Sequence, residues 1–185
     1  KSHFSPMQLD YENIIAVYTF SKTYAMTGWR LGYLVSRNKK LTNIIKLGDY
    51  TQTAGVPTYT QFAGAEALSN SEMEKKSVDS FMEEFSVRRD ALYEGLKGID
   101  GIKLPGKPEG AFYIFPDFSE YVPKNLSKEE TKLYIFNTLM DAGVATVYGS
   151  CFGKYFQNNL RFSYSTTNLQ QIEEGINRIR TALNK

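Results

Sequence analysis

Two continuous apolar runs open the hydrophobic pattern of the chain, Ile14-Ile15-Ala16-Val17-Tyr18 and Leu31-Gly32-Tyr33-Leu34-Val35. Apolar runs without polar alternation predict strands buried on both faces of a parallel sheet. Between residues 38 and 47 the pattern turns amphipathic and predicts a short helix. Residues 51–58 then read as a polar loop, and small residues from Thr60 to Leu68 as a second helix. From Glu72 to Lys97 the spacing is long and regular. Val78, Phe81, Phe85, Arg88, Leu92 and Leu96 recur every three or four residues among Glu, Lys and Asp. One long amphipathic helix ending at Gly98 is predicted there.

Beyond this helix, residues 101–104 and 111–115 read as strands separated by a Pro- and Gly-rich turn. Ser127-Lys128-Glu129-Glu130 carries the signature of a capping box and opens a predicted helix that runs to Ala142. Residues 144–147 and 160–164 follow as strands, and Asn168 caps a last helix through Ile172, Ile176 and Ile179. This order predicts an α/β layer in which helices cover one face of a short sheet. No repeat or low-complexity segment interrupts it.

Composition narrows the chemistry. A chain of 185 residues is long enough to bury a core, and its apolar fraction is that of a globular protein. A net charge of +2 gives no basic footprint for nucleic acid or an anionic membrane, so neither is expected as a partner. No apolar run is long enough to span a bilayer, and the first residues lack a signal-peptide core. The lone Cys151 allows no internal disulfide, and a reducing cytoplasmic location is expected. Cys151 itself reads as a small loop residue. The only histidine is His3, so a Ser-His-Asp or Cys-His site would rest on that one residue, and a zinc site is not expected. A lysine amine is the better candidate for carrying protons.

The segment Thr19-Phe20-Ser21-Lys22-Thr23-Tyr24-Ala25-Met26-Thr27-Gly28-Trp29-Arg30-Leu31-Gly32-Tyr33 concentrates the chemistry. Lys22 lies just past the end of a predicted strand, where open α/β sheets bind ligands. Partial burial beside a guanidinium is expected to favour its nucleophilic free amine. Arg30 offers a planar fork suited to a phosphate; the alternative is a structural salt bridge. Gly28 and Gly32 read as backbone requirements, for turn geometry or close packing.

This segment resembles the lysine-bearing stretch of the fold-type I, pyridoxal-phosphate-dependent aminotransferases, of the aspartate-aminotransferase-like class I/II group. The resemblance implies that Lys22 forms an imine with the aldehyde of pyridoxal 5′-phosphate. It also implies that Arg30 and Thr19 hold the cofactor phosphate, with Ser21 as a further contact or a turn-shaping residue. Arg161, in Asn159-Leu160-Arg161-Phe162-Ser163-Tyr164, resembles the arginine that grips the substrate α-carboxylate. Strand alternation sends Arg161 to the face opposite Leu160, Phe162 and Tyr164. The alternative is an arginine in a surface ion pair. Pro108-Glu109-Gly110-Ala111-Phe112-Tyr113 and the loop Val144 to Gly153 resemble further family elements near the site. Tyr148 stands where the family usually has proline, which predicts a looser or reshaped loop. Arg88 and Arg89 read as helix-surface and interdomain charges, and His3-Phe4-Ser5 as a structural element.

The resemblance implies a division into residues 1–71, the end of the large cofactor-binding domain; 72–98, the connecting helix; and 99–185, a small carboxy-terminal α/β domain. Only 21 residues precede Lys22. The chain is therefore expected to match the carboxy-terminal portion of an aminotransferase, with the missing amino-terminal half as its partner and a homodimer as the assembly. The implied reaction is transamination between an α-amino acid and a 2-oxo acid, with the isolated chain inactive. Two alternatives stay open. One is a non-catalytic interaction domain that inherits the lysine motif; the other is a different fold-type I reaction, such as decarboxylation or elimination.

Overall fold

In the computed structural model, which describes residues 4–184, the first apolar run forms strand β1, Ala16–Thr19, and the second forms β2, Gly32–Val35. His3 lies outside the described residues. The two strands pair antiparallel, with Ala16 opposite Val35 and Thr19 opposite Gly32, and form a sheet of their own. The parallel, doubly buried arrangement expected from their composition is not what forms. A parallel pair needs a crossover that is usually a full helix, whereas the link here, residues 20–31, holds only the turns Phe20–Thr23 and Thr27–Trp29 and returns the chain alongside itself. One face is left open, and Val17 is 77% exposed. The buried residues around this ribbon and its covering helix are Ala16, Phe20, Leu31, Thr60 and Gly64.

Phe20–Thr23 makes a single helical turn, α1, immediately after β1. Helix α2, Lys39–Thr53, is capped by Asn38, whose side chain accepts from the Leu41 amide at 3.1 Å. It runs into the predicted polar loop because Thr51 and Thr53 donate their hydroxyls back to the carbonyls of Gly48 and Asp49. Helix α3, Thr58–Ser69, lays Gly64 against Leu31 and Phe20, where a Cβ would collide with the Leu31 side chain. Helix α4, Ser71–Lys97, is the long amphipathic helix, with Glu72 and Glu74 in its first turn and Lys97 in its last. These charges complement its macrodipole.

The chain divides into two compact units, residues 1–80 and 81–185, at a point within α4. The second unit holds the main core, built from Leu92, Leu96, Ile114, Phe118, Leu139, Leu160, Phe162, Ile172, Ile176 and Ile179. Its sheet has the order β3-β5-β4, with β3 Tyr113–Ile114, β4 Val147–Tyr148 and β5 Leu160–Ser163. Both pairings are antiparallel.

The predicted strand at 101–104 reduces to one bridge, Lys103 to Asp117, and the strand at 111–115 is cut short because Ala111 takes φ 58°. The strand expected at 144–147 begins late for a different reason. Helix α5, Lys128–Asp141, ends with the Val144 amide donating to Leu139 O and the Gly143 amide to Met140 O, Gly143 at φ 77°. That double bond is a Schellman cap, and it draws Val144 into the helix terminus. Capping boxes at Ser127/Glu130 and Asn168/Gln171 open α5 and the last helix, α6, Leu169–Leu183. Ile172, Ile176 and Ile179 of α6 are buried, and Ile176 approaches Gly95 of α4 so closely that a Cβ there would clash.

Candidate functional site

In the first unit, the chain between β1 and β2 is a loop closed at its neck. The Phe20 amide donates to Leu31 O at 3.2 Å, continuing the ladder one step past Thr19 and Gly32. Thr19, Ser21, Lys22 and Arg30 all fall within or at the edge of this closed loop, so the fold brings them to the same end of the ribbon. Thr19 caps α1 by accepting from the Ser21 amide at 3.1 Å, which leaves its hydroxyl hydrogen for another acceptor. Lys22 lies on α1 and is exposed; the partial burial expected for it is absent. The physical reason is the two-stranded sheet, which has no further neighbour strand to build a wall over the loop.

The strain in this loop sits elsewhere than glycine spacing predicts. Gly28 occupies a 3₁₀ turn, Thr27–Trp29, at an ordinary φ with open space where a Cβ would stand. Ala25 and Arg30 carry the left-handed backbone instead, at φ 54° and 52°. Non-glycine residues pay a steric penalty there and persist where surrounding structure imposes it, often at functional sites. Gly32 does meet its expectation of close packing, since a Cβ would lie 2.7 Å from Tyr18 O. Arg30 turns its guanidinium back to donate to Thr27 O at 3.0 Å. Among the described residues it has no ion pair, so the salt-bridge alternative is not what forms.

A residue that sequence reading passed over holds the loop. The Tyr24 hydroxyl donates to Glu74 Oε1 at 2.6 Å. Burial and then the Glu74 carboxylate push this phenol from 10.0 up to about 12. Tyr24 stands two residues after Lys22, but no local pattern announces a partner on α4.

In the second unit, Arg161 is on central strand β5, opposite Val147 of β4. Leu160, Phe162 and Tyr164 face the core as alternation predicts, and Arg161 faces the other side. Its guanidinium lies 4.3 Å from the Tyr113 ring centroid and 5.3 Å from that of Phe152. Among the described residues no hydrogen bond or ion pair engages it, and its Nε is buried without a partner. The surface-ion-pair alternative does not form. Arg88 and Arg89 serve packing: Arg88 donates to Ser165 O at 2.9 Å, and Arg89 to Pro108 O and Asp90. Tyr148 pairs with Leu160, and the Gly149 amide donates to Asn159 O at 2.8 Å, so this part of the reshaped or looser loop expected there is held to β5. Cys151 is exposed, and among the described residues no cluster has the makings of a metal site. No helix there is long and apolar enough to cross a membrane.

An amine, a guanidinium and hydroxyl donors on a closed loop fit an aldehyde that carries a phosphate. A half-buried guanidinium whose Nε has no partner fits a carboxylate. The chain belongs to the family described as aminotransferase class I and II, which matches residues 7–179. It is 41% identical over 172 residues to a probable aspartate aminotransferase of Methanocaldococcus jannaschii, covering 90% of this chain and 42% of that protein. It is 35% identical to aromatic-amino-acid aminotransferase 2 of Thermococcus litoralis, over 98% of this chain and 44% of the relative. Among solved structures, the aspartate aminotransferase of Thermus thermophilus with maleate superposes with a TM-score of 0.86 at 31% identity. That match covers 98% of this chain and 44% of the other. The chain thus spans less than half the length of the relatives it matches.

Proposed function

We propose that the chain carries the lysine, phosphate-binding and carboxylate-binding residues of a pyridoxal-phosphate-dependent transaminase acting on an α-amino acid and a 2-oxo acid. The observation that carries this reading is the closed loop, which gathers Thr19, Ser21, Lys22 and Arg30 at one end of the β1–β2 ribbon. Lys22 holds the aldehyde end of the cofactor through its amine. Arg30 and the hydroxyls of Thr19 and Ser21 hold the phosphate, a permanent cation and short donors meeting a dianion. Pyridoxal phosphate, when bound, supplies the electron sink that makes the substrate Cα–H acidic. Arg161 grips the α-carboxylate and so fixes the direction of that C–H bond. Lys22 Nζ, free once the amino acid is bound, would take the proton from the substrate Cα and deliver it to the cofactor side rather than back to Cα. With the cofactor bound, the amino group would stay with it between the two half-reactions, so that the first substrate would depart as a 2-oxo acid and a second 2-oxo acid would take the group up.

A second reading concerns the isolated chain. Residues 4–80 expose Val17, Tyr50, Tyr59 and Phe62, each more than 70% accessible. That much open apolar surface favours a chain that turns over substrate only together with the sequence its relatives carry in addition. The test is to add pyridoxal phosphate, record the visible absorption of the bound cofactor, reduce with borohydride and map the label by mass spectrometry. Label at Lys22, lost in Lys22→Ala, is expected; label spread over surface lysines would refute the assignment.

A further inference from the structure

Arg161 presents a physical puzzle. A cation with a buried, unpartnered Nε is costly, and partly buried arginines ordinarily spend their donors on a carboxylate or carbonyl. Here aromatic rings take that place. The sheet register explains how. Tyr113 pairs with Ser163, two residues from Arg161 along β5, so Tyr113 and Arg161 are diagonal neighbours on one face, within reach of each other. Phe152 comes from the turn after β4 and is itself braced edge-on by Phe115, at 5.5 Å. Phe115 in turn meets Phe156 at 5.4 Å. The opposite face of the same sheet, with Ile114, Leu160 and Phe162, is buried in the core.

We propose that Tyr113 and Phe152 are positioning residues that hold the Arg161 guanidinium by its faces, leaving its in-plane N–H donors for a ligand carboxylate. Ring faces attract the cation electrostatically without neutralising it, and they consume none of its five donors. A carboxylate partner from the protein would fix the orientation equally well but would occupy the fork. The proposal rests on the reading of Arg161 as the substrate-carboxylate residue and adds what sets its orientation.

The experiment uses the 185-residue chain labelled with ¹⁵N-arginine, with pyruvate as probe because it carries a single carboxylate. Without ligand, the Arg161 Nε–H proton is expected upfield of the other arginines through ring currents. It should relax toward them in Tyr113→Leu and in Phe152→Leu, and stay in Tyr113→Phe and Phe152→Tyr. Pyruvate should shift the same resonance, with affinity about tenfold weaker in each leucine variant and unchanged in the ring-preserving ones. Arg161→Lys should abolish the binding. An Arg161 proton with no upfield displacement in the unsubstituted chain overturns the clamp even if the leucine variants do not fold. Leucine variants that bind as tightly as the parent overturn it while the carboxylate reading stands. Pyruvate binding that survives Arg161→Lys overturns both.

Discussion

The Tyr24 hydroxyl and the Glu74 carboxylate meet at 2.6 Å across a separation of 50 residues, tying the lysine-bearing loop to the first turn of α4. A hydrogen bond to a charged acceptor is stronger than a neutral one, and here it is a side-chain anchor for a loop with two left-handed alanine and arginine positions. Removing it in Tyr24→Phe or Glu74→Ala should raise hydrogen-exchange rates of the amides from Tyr24 to Trp29 several-fold. Glu74→Gln keeps an acceptor and should lie between. Unchanged exchange in both deletions would show that the backbone alone holds the loop.

The same pair sets a pH response. The Tyr24 phenol titrates near 10.0 when unfolded and is pushed up to about 12 in the fold, by burial first and by Glu74 second. Folding thus favours the protonated form. Its contribution is complete below pH 10 and is lost as pH rises through about 12. Alkaline unfolding followed by circular dichroism should therefore steepen across that window, and Tyr24→Phe should flatten it.

Arg30 combines a left-handed backbone with a guanidinium that bonds Thr27 O. Arg30→Lys keeps the charge and loses the fork, which is not a conservative change where a phosphate is held by paired donors. Retention of pyridoxal phosphate after equilibrium dialysis should fall about tenfold, corresponding to about 1.4 kcal/mol. Retention equal to the parent would place the phosphate elsewhere.

Ala54 ends α2 at φ 55°, a position that glycine occupies without a Cβ penalty. Ala54→Gly should stabilise residues 4–80 by about 0.5–1 kcal/mol, seen as a higher melting temperature. In the second unit, Leu96 is fully buried within the core. Leu96→Ala should cost about 2–5 kcal/mol in urea unfolding, through lost transfer energy and the cavity left behind. A loss below 1 kcal/mol would mean that the core collapses around the gap.

Much of the fold was legible locally. The helices at 71–97, 128–141 and 169–183 follow from three- and four-residue periodicity and from the caps Ser127 and Asn168, signals contained in a few neighbouring residues. The motif around Lys22 was equally legible, because its hydroxyls, amine and guanidinium lie within one short segment. Strand pairing was not. The composition of residues 14–18 suggests a buried parallel strand, but composition does not name a neighbour, and the neighbour that forms is the antiparallel β2.

Sequence by itself therefore determined the long helix at 71–97, the helices at 128–141 and 169–183 with their Ser127 and Asn168 caps, the family and the identity of the candidate lysine and arginines, since each is written in contiguous residues. Tertiary structure alone decided that Lys22 stands exposed, that Ala25 and Arg30 rather than Gly28 carry the left-handed turns, and that the Tyr113 and Phe152 rings lie against the Arg161 guanidinium. These depend on which surfaces meet after the chain folds back, a matter of packing between residues distant along the chain.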